Sequence, residues 1–485
     1  MYIGIDLGTS AIKCILIAED GRTIATASEP LQVSRPKPGH SEQDPESWWQ
    51  ATLAGFDKLA KQAPREMAAV RGIGLSGQQH GATLLDKAGN ALRPCILWND
   101  VRSAKECHEL VARLPDLPNI TGNPTLPGFT APKLVWVKKH EPQVFERVAK
   151  VLLPKAYLRY QLSGEFIEDM SDASGTGWLD VGKRAWSKRA LEATDLSLDH
   201  MPALVEGTAP AGRLRAELAQ RWGMTQPPVI AGSAGDNAAG AIALGAIKPG
   251  DAFVSLGTSG VLWATTAGFA PNTTAAVHAF CHCVPNTWHQ MGVILSAASC
   301  LSWLSGVVGV PEGELLKDLG DTAERPAPVV FLPYLSGERT PHNDADIRGA
   351  FAGMSHDTSR GVLAQAVMEG VAFAMRDCLE ALQAAGTKLS SLDAIGGGAR
   401  SRLWLSIIAN VLNLPVNRLA DSEVSGAMGG ALLGRMAATG EPATAVCKPP
   451  KRMETLEPRA ATRDAYSESY AHYRKLYPAI KEATR

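Results

Sequence analysis

A short polar turn near the start of the chain has the residue types of a phosphate-binding loop. The turn, Asp6–Ser10, lies between two apolar runs, Tyr2–Ile5 and Ile12–Ile17. Glycine lets a phosphate approach the backbone, while N–H groups, hydroxyls and a nearby lysine can bind its oxygens. The candidate phosphate-binding residues are Gly8, Thr9, Ser10 and Lys13.

Asp6, the first residue of this turn, is expected to have a different role. A carboxylate is repelled by a phosphate unless a cation lies between them. A functional Asp6 therefore implies Mg²⁺, held directly or through water. A turn of this composition is, on its own, usually only a turn, so other features of the chain must support the hypothesis.

The sequence of this turn recurs in the second half of the chain. Leu7–Ser10 and Leu256–Ser259 both read Leu-Gly-Thr-Ser, and both lie between strand-like runs. The repeat indicates two similar lobes that face each other, with chance repetition of four residues as the alternative. Ser255 stands where the first copy has Asp6, so two facing turns would hold one metal and bind a triphosphate from both sides. The candidates on the second side are Gly257 and Thr258.

A third glycine-rich segment, Ala394–Ser401, follows an apolar strand and precedes the helical run Leu403–Leu412. Within it, Gly397 and Gly398 would let a ligand lie against bare backbone at the start of a helix. The segment lacks the glycine pattern of dinucleotide-binding proteins, and neither repeated turn matches the P-loop pattern. We therefore expect the base and ribose of ATP rather than NAD, with a structural turn as the alternative.

Two more segments could bind and activate a hydroxylated substrate. Gln79 and His80 offer amide and imidazole groups between two glycines, after the strand Ile73–Leu75. Asp236 is an acid in a small, apolar run that follows Val229–Ala231. A carboxylate beside a sugar hydroxyl can accept its proton while the oxygen attacks phosphorus, so Asp236 is the candidate base. The alternative role for Asp236 is a helix N-cap, and the two roles can coexist.

The elements that must position these residues alternate between strands and helices. Met1–Ser28 predicts a three-strand meander with two tight turns. Asp44–Glu46 predicts the start of a helix, because an N-cap acid is followed by proline. Val70–Leu75 is strand-like and Ser103–Leu114 is helical. Together these segments predict an α/β fold.

The chain is long enough for two lobes. Its 485 residues exceed the size of one core, and its 45% hydrophobic and 20% charged residues are typical of globular proteins. Lys248–Asp251 predicts a turn at the boundary. We expect an N-terminal lobe, residues 1–246, with the sugar site and the first phosphate turn, and a C-terminal lobe, residues 247–485, that binds the nucleotide.

Charge and cysteine content narrow the partners and the compartment. A formal net charge of -1 gives no positive field for nucleic acid or a membrane surface, so we expect neither partner. We expect no signal peptide, since the first residues lack its basic and long apolar regions; the apolar runs are too short to span a membrane, and the 8 cysteines follow no disulfide framework. We expect a cytoplasmic protein, with a homodimer as one option.

One cluster of histidines and cysteines contains potential zinc ligands. Its spacing lacks the tight pairing of structural zinc sites and alternates with apolar residues, which favours buried strand positions over a metal site. The cluster comprises His278, Cys281, His282, Cys283 and His289.

Two segments resemble signatures of a known family. Gly128–His140 fits, in spacing and residue type, the N-terminal signature of the sugar kinases named for their Phe-Gly-Gly-Tyr motif, the FGGY family. Gly349–Glu369 resembles the C-terminal signature of that family. Other segments are similar to the branch that phosphorylates D-xylulose, although Gln79 stands where bacterial members often have methionine. These segments are Ser41–Trp49, Gly77–Gly81, Trp98–Asp100 and Ser336–His342.

The resemblance implies two ribonuclease-H-like lobes, as in actin-like ATPases, with ATP in a central cleft and the sugar deeper. It implies that Asp236 is the base, that Asp6 is the metal-associated acid, and that Gln79 and His80 contact the sugar. The implied reaction converts ATP and D-xylulose to ADP and D-xylulose 5-phosphate. The residues implied on the nucleotide side are Thr9, Ser10, Lys13, Gly257, Thr258, Gly397 and Gly398.

Two alternatives remain open at this point. The first keeps the family and changes the sugar to ribulose, fuculose, gluconate or glycerol, because a few hydroxyl contacts decide between such substrates. The second is an actin-like ATPase that uses ATP hydrolysis to act on a protein partner.

Overall fold

The structure, a computed structural model, describes residues 1–317, 319–420 and 425–484. Its strands, numbered in chain order, are β1 Tyr2–Leu7, β2 Ala11–Ile17, β3 Thr23–Pro30, β4 Glu42–Gln43, β5 Gly72–Gly77, β6 Thr83–Leu85, β7 Cys95–Ile96, β8 Lys150–Leu152, β9 Ile167–Asp169, β10 Leu179–Asp180, β11 Ala185–Trp186, β12 Ala203–Val205, β13 Pro210–Arg213, β14 Val229–Ala231, β15 Ala234–Gly235, β16 Ala252–Leu256, β17 Gly260–Thr266, β18 His278–Cys281, β19 Trp288–Ile294, β20 Val330–Leu332, β21 Ala350–Ala352, β22 Leu392–Ile395, β23 Val416–Leu419 and β24 Arg452–Leu456.

The α-helices are α1 Pro45–Gln62, α2 Pro64–Ala68, α3 Ala104–Arg113, α4 Leu117–Thr121, α5 Thr130–His140, α6 Pro142–Phe145, α7 Pro154–Ser163, α8 Met170–Ala173, α9 Lys188–Glu192, α10 Ala216–Arg221, α11 Asp236–Leu244, α12 Ala298–Val308, α13 Glu312–Leu316, α14 Arg360–Ala384, α15 Arg402–Leu412, α16 Gly426–Thr439, α17 Ala443–Val446 and α18 Ala460–Ala483. Turns of 3₁₀ helix occur at Ser174–Thr176, Leu198–His200 and Gly397–Arg400. Among the described residues, no helix combines the length and the apolarity needed to cross a membrane.

The first large sheet has the strand order β13-β14-β5-β1-β2-β3, with β15 also paired to β5. Strands β1, β14 and β15 run parallel to β5, whereas β2 is antiparallel to β1 and β3. Carboxyl ends of parallel strands meet at one edge of a sheet, where α/β proteins commonly bind ligands. Asp6, Gln79 and Asp236 all lie at this edge, at or just beyond the ends of β1, β5 and β15.

The second large sheet has the order β18-β19-β17-β16-β22-β23-β24. Its first strand, β16, pairs with the antiparallel β17 on one side and with the parallel β22 on the other, as β1 does with β2 and β5. The repeated arrangement confirms the predicted duplication and the α/β fold of two ribonuclease-H-like lobes.

Local signals in the sequence predicted several elements correctly. The N-terminal meander is present as β1, β2 and β3. Helix α1 begins at Pro45, and the Asp44 carboxylate accepts a hydrogen bond from the Glu46 N–H at 3.0 Å, which confirms the predicted N-cap.

Helices α11 and α16 contact each other between the two sheets, and α16 also packs against β1 and β5. Glycines allow this close packing: a Cβ on Gly4 would lie 1.8 Å from the Ala427 carbonyl oxygen, and one on Gly74 would lie 2.0 Å from that of Gly430. The second half of the chain therefore covers one face of the first sheet. The predicted boundary between residues 246 and 247 stays a prediction.

The segment after β22 confirms the predicted order of strand, glycine turn and helix. Gly397 and Gly398 lie in a 3₁₀ turn that precedes the helix. Helix α15 begins at Arg402, because the Ser401 hydroxyl accepts a hydrogen bond from the Trp404 N–H at 3.2 Å and serves as the N-cap. Serine is a better N-cap than glycine, which explains why the helix starts after the glycines.

Candidate active site

Asp6 lies at the edge where β1 and β5 end. It is opposite Ser76 in the parallel register, and the Ser76 hydroxyl donates to Asp6 Oδ1 at 2.8 Å. The first residue of α16, Gly426, lies against the same carboxylate, since a Cβ there would be 2.7 Å from Oδ1. The positive end of a helix dipole therefore lies beside Asp6. Burial raises the pKa of Asp6, while the Ser76 hydrogen bond and the charge of Lys13 oppose that shift.

Asp236 is the first residue of α11, and Gly235 before it occupies the N-cap position. The N-cap alternative for Asp236 is therefore wrong about its position, because the backbone of Gly235 already adopts the extended cap conformation. The carboxylate does bind the helix start, since its Oδ1 accepts from Asn237 N at 2.7 Å and from Asn237 Nδ2 at 3.0 Å. Asn237 thus orients this carboxylate from two sides.

The Asp236 side chain is exposed to solvent on one side, while densely packed protein buries the carboxylate on the others. This burial and the negative charge of Asp6 raise the pKa of Asp236 to about 7. The structure therefore brings the two predicted acids together, and each disfavours the charge of the other.

His80 has a left-handed backbone, with φ of 69°, which is uncommon outside glycine. Its Nδ1 is 2.7 Å from the Gly175 carbonyl oxygen, so Nδ1 carries the proton and donates. Its ring stacks on Phe129 with centroids 4.6 Å apart. Burial lowers the pKa of His80 to about 3, so the ring is neutral and Nε2 is a hydrogen-bond acceptor.

Gln79 is buried beside the start of α11. A Cβ on Gly235 would lie 2.5 Å from Gln79 Nε2, so only glycine allows this side chain to sit so close. The amide Nε2 donates a long hydrogen bond, 3.4 Å, to the Ser171 carbonyl oxygen. The structure thus places Gln79 next to the loop that carries Asp236.

The hydroxyl of Thr9 is occupied by other side chains. It donates to Gln78 Oε1 at 3.0 Å and accepts from Trp98 Nε1 at 3.0 Å, while Gln43 Nε2 donates to the Thr9 carbonyl oxygen at 2.7 Å. The hydroxyl proton is therefore not available to a phosphate, contrary to the expected hydroxyl contact. Sequence reasoning missed the contacts of Gln43, Gln78 and Trp98 with Thr9, although all three residues lie in segments that it had singled out.

The rest of the first turn is open. Gly8 N–H closes the turn by donating to the Ala11 carbonyl oxygen at 3.0 Å. Ser10 and Lys13 are exposed, and Lys13 stands directly opposite Asp6 across the β1–β2 hairpin. A cation and an acid therefore flank the turn at the same strand position.

On the second lobe, the turn of Gly257 and Thr258 lies beside the glycine turn that follows β22. A Cβ on Gly398 would lie 2.8 Å from Leu256 Cβ, and Gly396 has φ of 85°, so both positions favour glycine. The residue before α12 fixes the turn of Gly257 and Thr258, because the Ala297 N–H donates to the Thr258 carbonyl oxygen at 2.9 Å. Gly397 and Gly398 are thus next to Gly257 and Thr258, as expected for one nucleotide-binding surface.

Both halves of the chain match the models of one family. Residues 1–243 match the N-terminal domain of the FGGY family of carbohydrate kinases, and residues 252–438 match its C-terminal domain. The chain belongs to this family. It is therefore a carbohydrate kinase with ATP as the phosphate donor, which confirms the resemblance of the two signature segments.

Similar proteins of this kinase family cover nearly all of the chain. It is 48% identical to a xylulose kinase of Escherichia coli (strain K12), over 99% of each protein. A crystal structure described as a xyloylose kinase from Brucella ovis has 54% identity and a TM-score of 0.97, over 99% of each chain. The structure of xylulose kinase from Rhodospirillum rubrum has 28% identity and a TM-score of 0.93, also over 99% of each chain.

A buried charge cluster lies near Gln79, and sequence reasoning missed it. The Lys155 ammonium is 2.7 Å from Glu168 Oε1, 2.6 Å from Asp169 Oδ2 and 3.4 Å from Asp172 Oδ2. All four side chains are buried, and Ser171 between two of the acids touches Gln79. The ammonium occupies the centre of the acids, where a metal would otherwise bind.

The histidines and cysteines considered for zinc are buried residues of the second sheet and its following turn. His278 and Cys281 lie in β18 and His289 lies in β19. His278 Nδ1 is 2.9 Å from Asn123 Oδ1. The His278 ring is 5.9 Å from that of Phe129, so His278 extends the stack formed by His80 and Phe129.

Proposed function

We propose that this kinase transfers the γ-phosphoryl group of ATP to D-xylulose and produces D-xylulose 5-phosphate and ADP. The observation that carries the choice of sugar is the 48% identity, over 99% of each protein, to a xylulose kinase. The geometry supports a hydroxylated acceptor, because an acid and two neutral hydrogen-bonding side chains converge at one sheet edge.

Asp236 would act as the general base. Its carboxylate accepts the proton of the terminal sugar hydroxyl while that oxygen forms a bond to the γ-phosphorus. The bond from phosphorus to the β-phosphate oxygen breaks, and ADP leaves with the electron pair. Asn237 holds Oδ1 through two donors, which leaves Oδ2 to face the sugar. The proton then passes from Asp236 to solvent.

His80 and Gln79 would bind and orient the sugar. The neutral His80 ring offers Nε2 as an acceptor for a sugar hydroxyl, because Nδ1 is bound to Gly175. Gln79 lies beside Gly235 and Asp236, so its amide can bind a second oxygen of the acceptor. Orienting the acceptor in this way reduces the entropy lost on the path to the transition state.

Asp6 has the chemistry required to hold Mg²⁺. Its carboxylate and the Ser76 hydroxyl are oxygen donors, and the negative charge of the nearby Asp236 adds to the attraction for this cation. Bound Mg²⁺ supplies positive charge that neutralises the phosphate oxygens. In the proposal Asp6 positions the cation, directly or through water, and takes no proton from the substrate.

The nucleotide would lie between the two glycine-containing turns. Gly8, Ser10 and Lys13 line the phosphate side on the first lobe, and Thr9 contributes its backbone rather than its hydroxyl. The second lobe would contribute Gly257, Thr258, Gly397 and Gly398. We also propose that the enzyme acts in the cytoplasm, and a homodimer stays a prediction.

The test is ADP release with a panel of D-xylulose, D-ribulose, L-fuculose, gluconate and glycerol. We expect D-xylulose to have a kcat/KM at least about tenfold above every other acceptor. A tenfold preference for another member would overturn the proposed sugar. ADP release that no sugar stimulates would instead support an ATPase with a protein partner.

A further inference from the structure

Lys133 is a fully buried lysine at the start of α5, and its role is not explained by the reaction itself. Its Nζ donates to two backbone carbonyl oxygens, His80 O at 2.8 Å and Gly128 O at 2.7 Å. Among the described residues, no carboxylate forms an ion pair with it. Burial of an ammonium without a carboxylate partner is costly, so a compensating function is expected at this position.

The two carbonyls belong to the two halves of one aromatic stack. His80 and Phe129 stack with ring planes 14° apart, and Gly128 directly precedes Phe129. Lys133 therefore binds the backbone of His80, which supplies one ring of the stack. It also binds the peptide group that leads into Phe129, which supplies the other ring. A single ammonium fixes the spacing of the stacked pair.

His80 needs such a restraint because its backbone is left-handed. Strained backbone conformations persist only where surrounding groups hold them. The His80 carbonyl receives a second side-chain donor from the same helix turn, the Thr130 hydroxyl at 3.1 Å. Two donors from the first turn of α5 thus hold one carbonyl of the acceptor loop.

The chemistry of a buried amine fits this role. Burial lowers the pKa of Lys133 to about 7. A neutral amine still has two N–H donors, which match the two carbonyls, so the contacts do not require the charge. A shorter or apolar side chain could not satisfy both oxygens, which would then be buried without partners.

We propose that Lys133 is a positioning residue for the sugar: it fixes the left-handed His80 and its stacking partner Phe129, so that His80 Nε2 faces the acceptor. The inference rests on the proposed function, since it takes His80 as a sugar contact. Loss of the amine should weaken sugar binding and leave the nucleotide side unchanged.

The test compares Lys133→Met with Lys138→Met, a control on the exposed face of the same helix, where Lys138 pairs with Asp195 at 2.7 Å and lies over the Phe145 ring. Lys133→Met should raise the KM for D-xylulose by about tenfold or more, with kcat within about threefold and the KM for ATP unchanged. Lys138→Met should match the wild type. An unchanged sugar KM, or equal losses for sugar and ATP, would overturn the proposal.

A milder variant covers the case in which Lys133→Met does not fold. Thr130→Val removes only the second donor to His80 and keeps the shape of the side chain. It should raise the sugar KM by a few-fold without changing the KM for ATP. An unchanged sugar KM in a folded Thr130→Val enzyme would then count against the proposal.

His80→Ala separates this inference from the proposed function. A higher sugar KM in His80→Ala, with little further loss in the double variant with Lys133→Met, would support action through His80. Losses that add fully would overturn the positioning role while His80 remains a sugar contact. An unchanged KM in His80→Ala would overturn both assignments.

Discussion

The hairpins that open the two lobes share a four-residue turn but differ in charge. In the first lobe Asp6 stands opposite Lys13, whereas in the second Ser255 stands opposite Val261. An acid and a cation thus flank one turn, and a neutral polar residue and an apolar residue flank the other. The duplicated fold has kept two similar turns and placed an acid and a lysine beside one of them only.

The surroundings of the two turns also differ in charge and polarity. The first turn lies near Asp236, the start of α16 and the polar network around Thr9. The second lies beside a glycine turn in which a Cβ on Gly396 or Gly398 would lie 2.8 Å from atoms of Leu256. The comparison fits the proposal that the first lobe carries the chemistry, while the second offers a backbone surface for the nucleotide.

The largest expected effect comes from removing the base of the first lobe. Asp236→Asn keeps the size of the side chain, and kcat should fall by about 10²–10⁴-fold because the proton acceptor is lost. The melting temperature should not fall, since the variant removes a negative charge that Asp6 repels. Turnover, ATP affinity and melting measured on this one variant check the prediction, and more than about a tenth of wild-type kcat would refute the base.

A smaller loss is expected at the acid that distinguishes the two turns. Asp6→Asn should lower kcat by about tenfold or more and raise the Mg²⁺ concentration needed for half-maximal rate, because a ligand for the cation is weakened. Magnesium titrations of the initial rate measure both effects. An unaltered magnesium dependence would leave Asp6 as an ordinary turn residue.

The pH profile should report the pair of acids. Asp236 accepts a proton only when ionised, so kcat/KM should fall about tenfold per pH unit below its pKa, which burial and Asp6 raise to about 7. Asp6→Asn removes the neighbouring charge, and the acid limb should move to lower pH. A flat profile between pH 5 and 8, or a limb that Asp6→Asn leaves in place, would argue against the coupling.

The smallest effect is expected on the second lobe. Ser255→Ala should change kcat and both KM values by no more than about threefold, because the second turn acts through its backbone. Steady-state rates beside those of Asp6→Asn make the comparison direct. A loss at Ser255 as large as that at Asp6 would mean that the two turns are functionally equivalent.

Local signals explain how much of this could be predicted from the sequence. The N-terminal meander, the capped start of α1 and the repeated turn depend on neighbouring residues, and each was predicted correctly. The common edge of Asp6, Gln79 and Asp236 was not predicted, because it depends on the order of the parallel strands in the first sheet, which local signals do not give.

Contacts between distant segments could not be predicted in the same way. Gly426 meets Asp6, and Lys133 meets His80, only because helices α16 and α5 pack where they do. The occupied hydroxyl of Thr9 has the same origin, since Gln78 and Trp98 come from other loops. A single sequence contains no periodic or turn signal for such pairs.

The most direct test of the central claim is identification of the product by ³¹P NMR, with ATP, Mg²⁺ and D-xylulose. The account predicts one D-xylulose 5-phosphate for each ADP, because the γ-phosphoryl group passes to a sugar oxygen in a site that excludes water. ADP and inorganic phosphate without a sugar phosphate would contradict it.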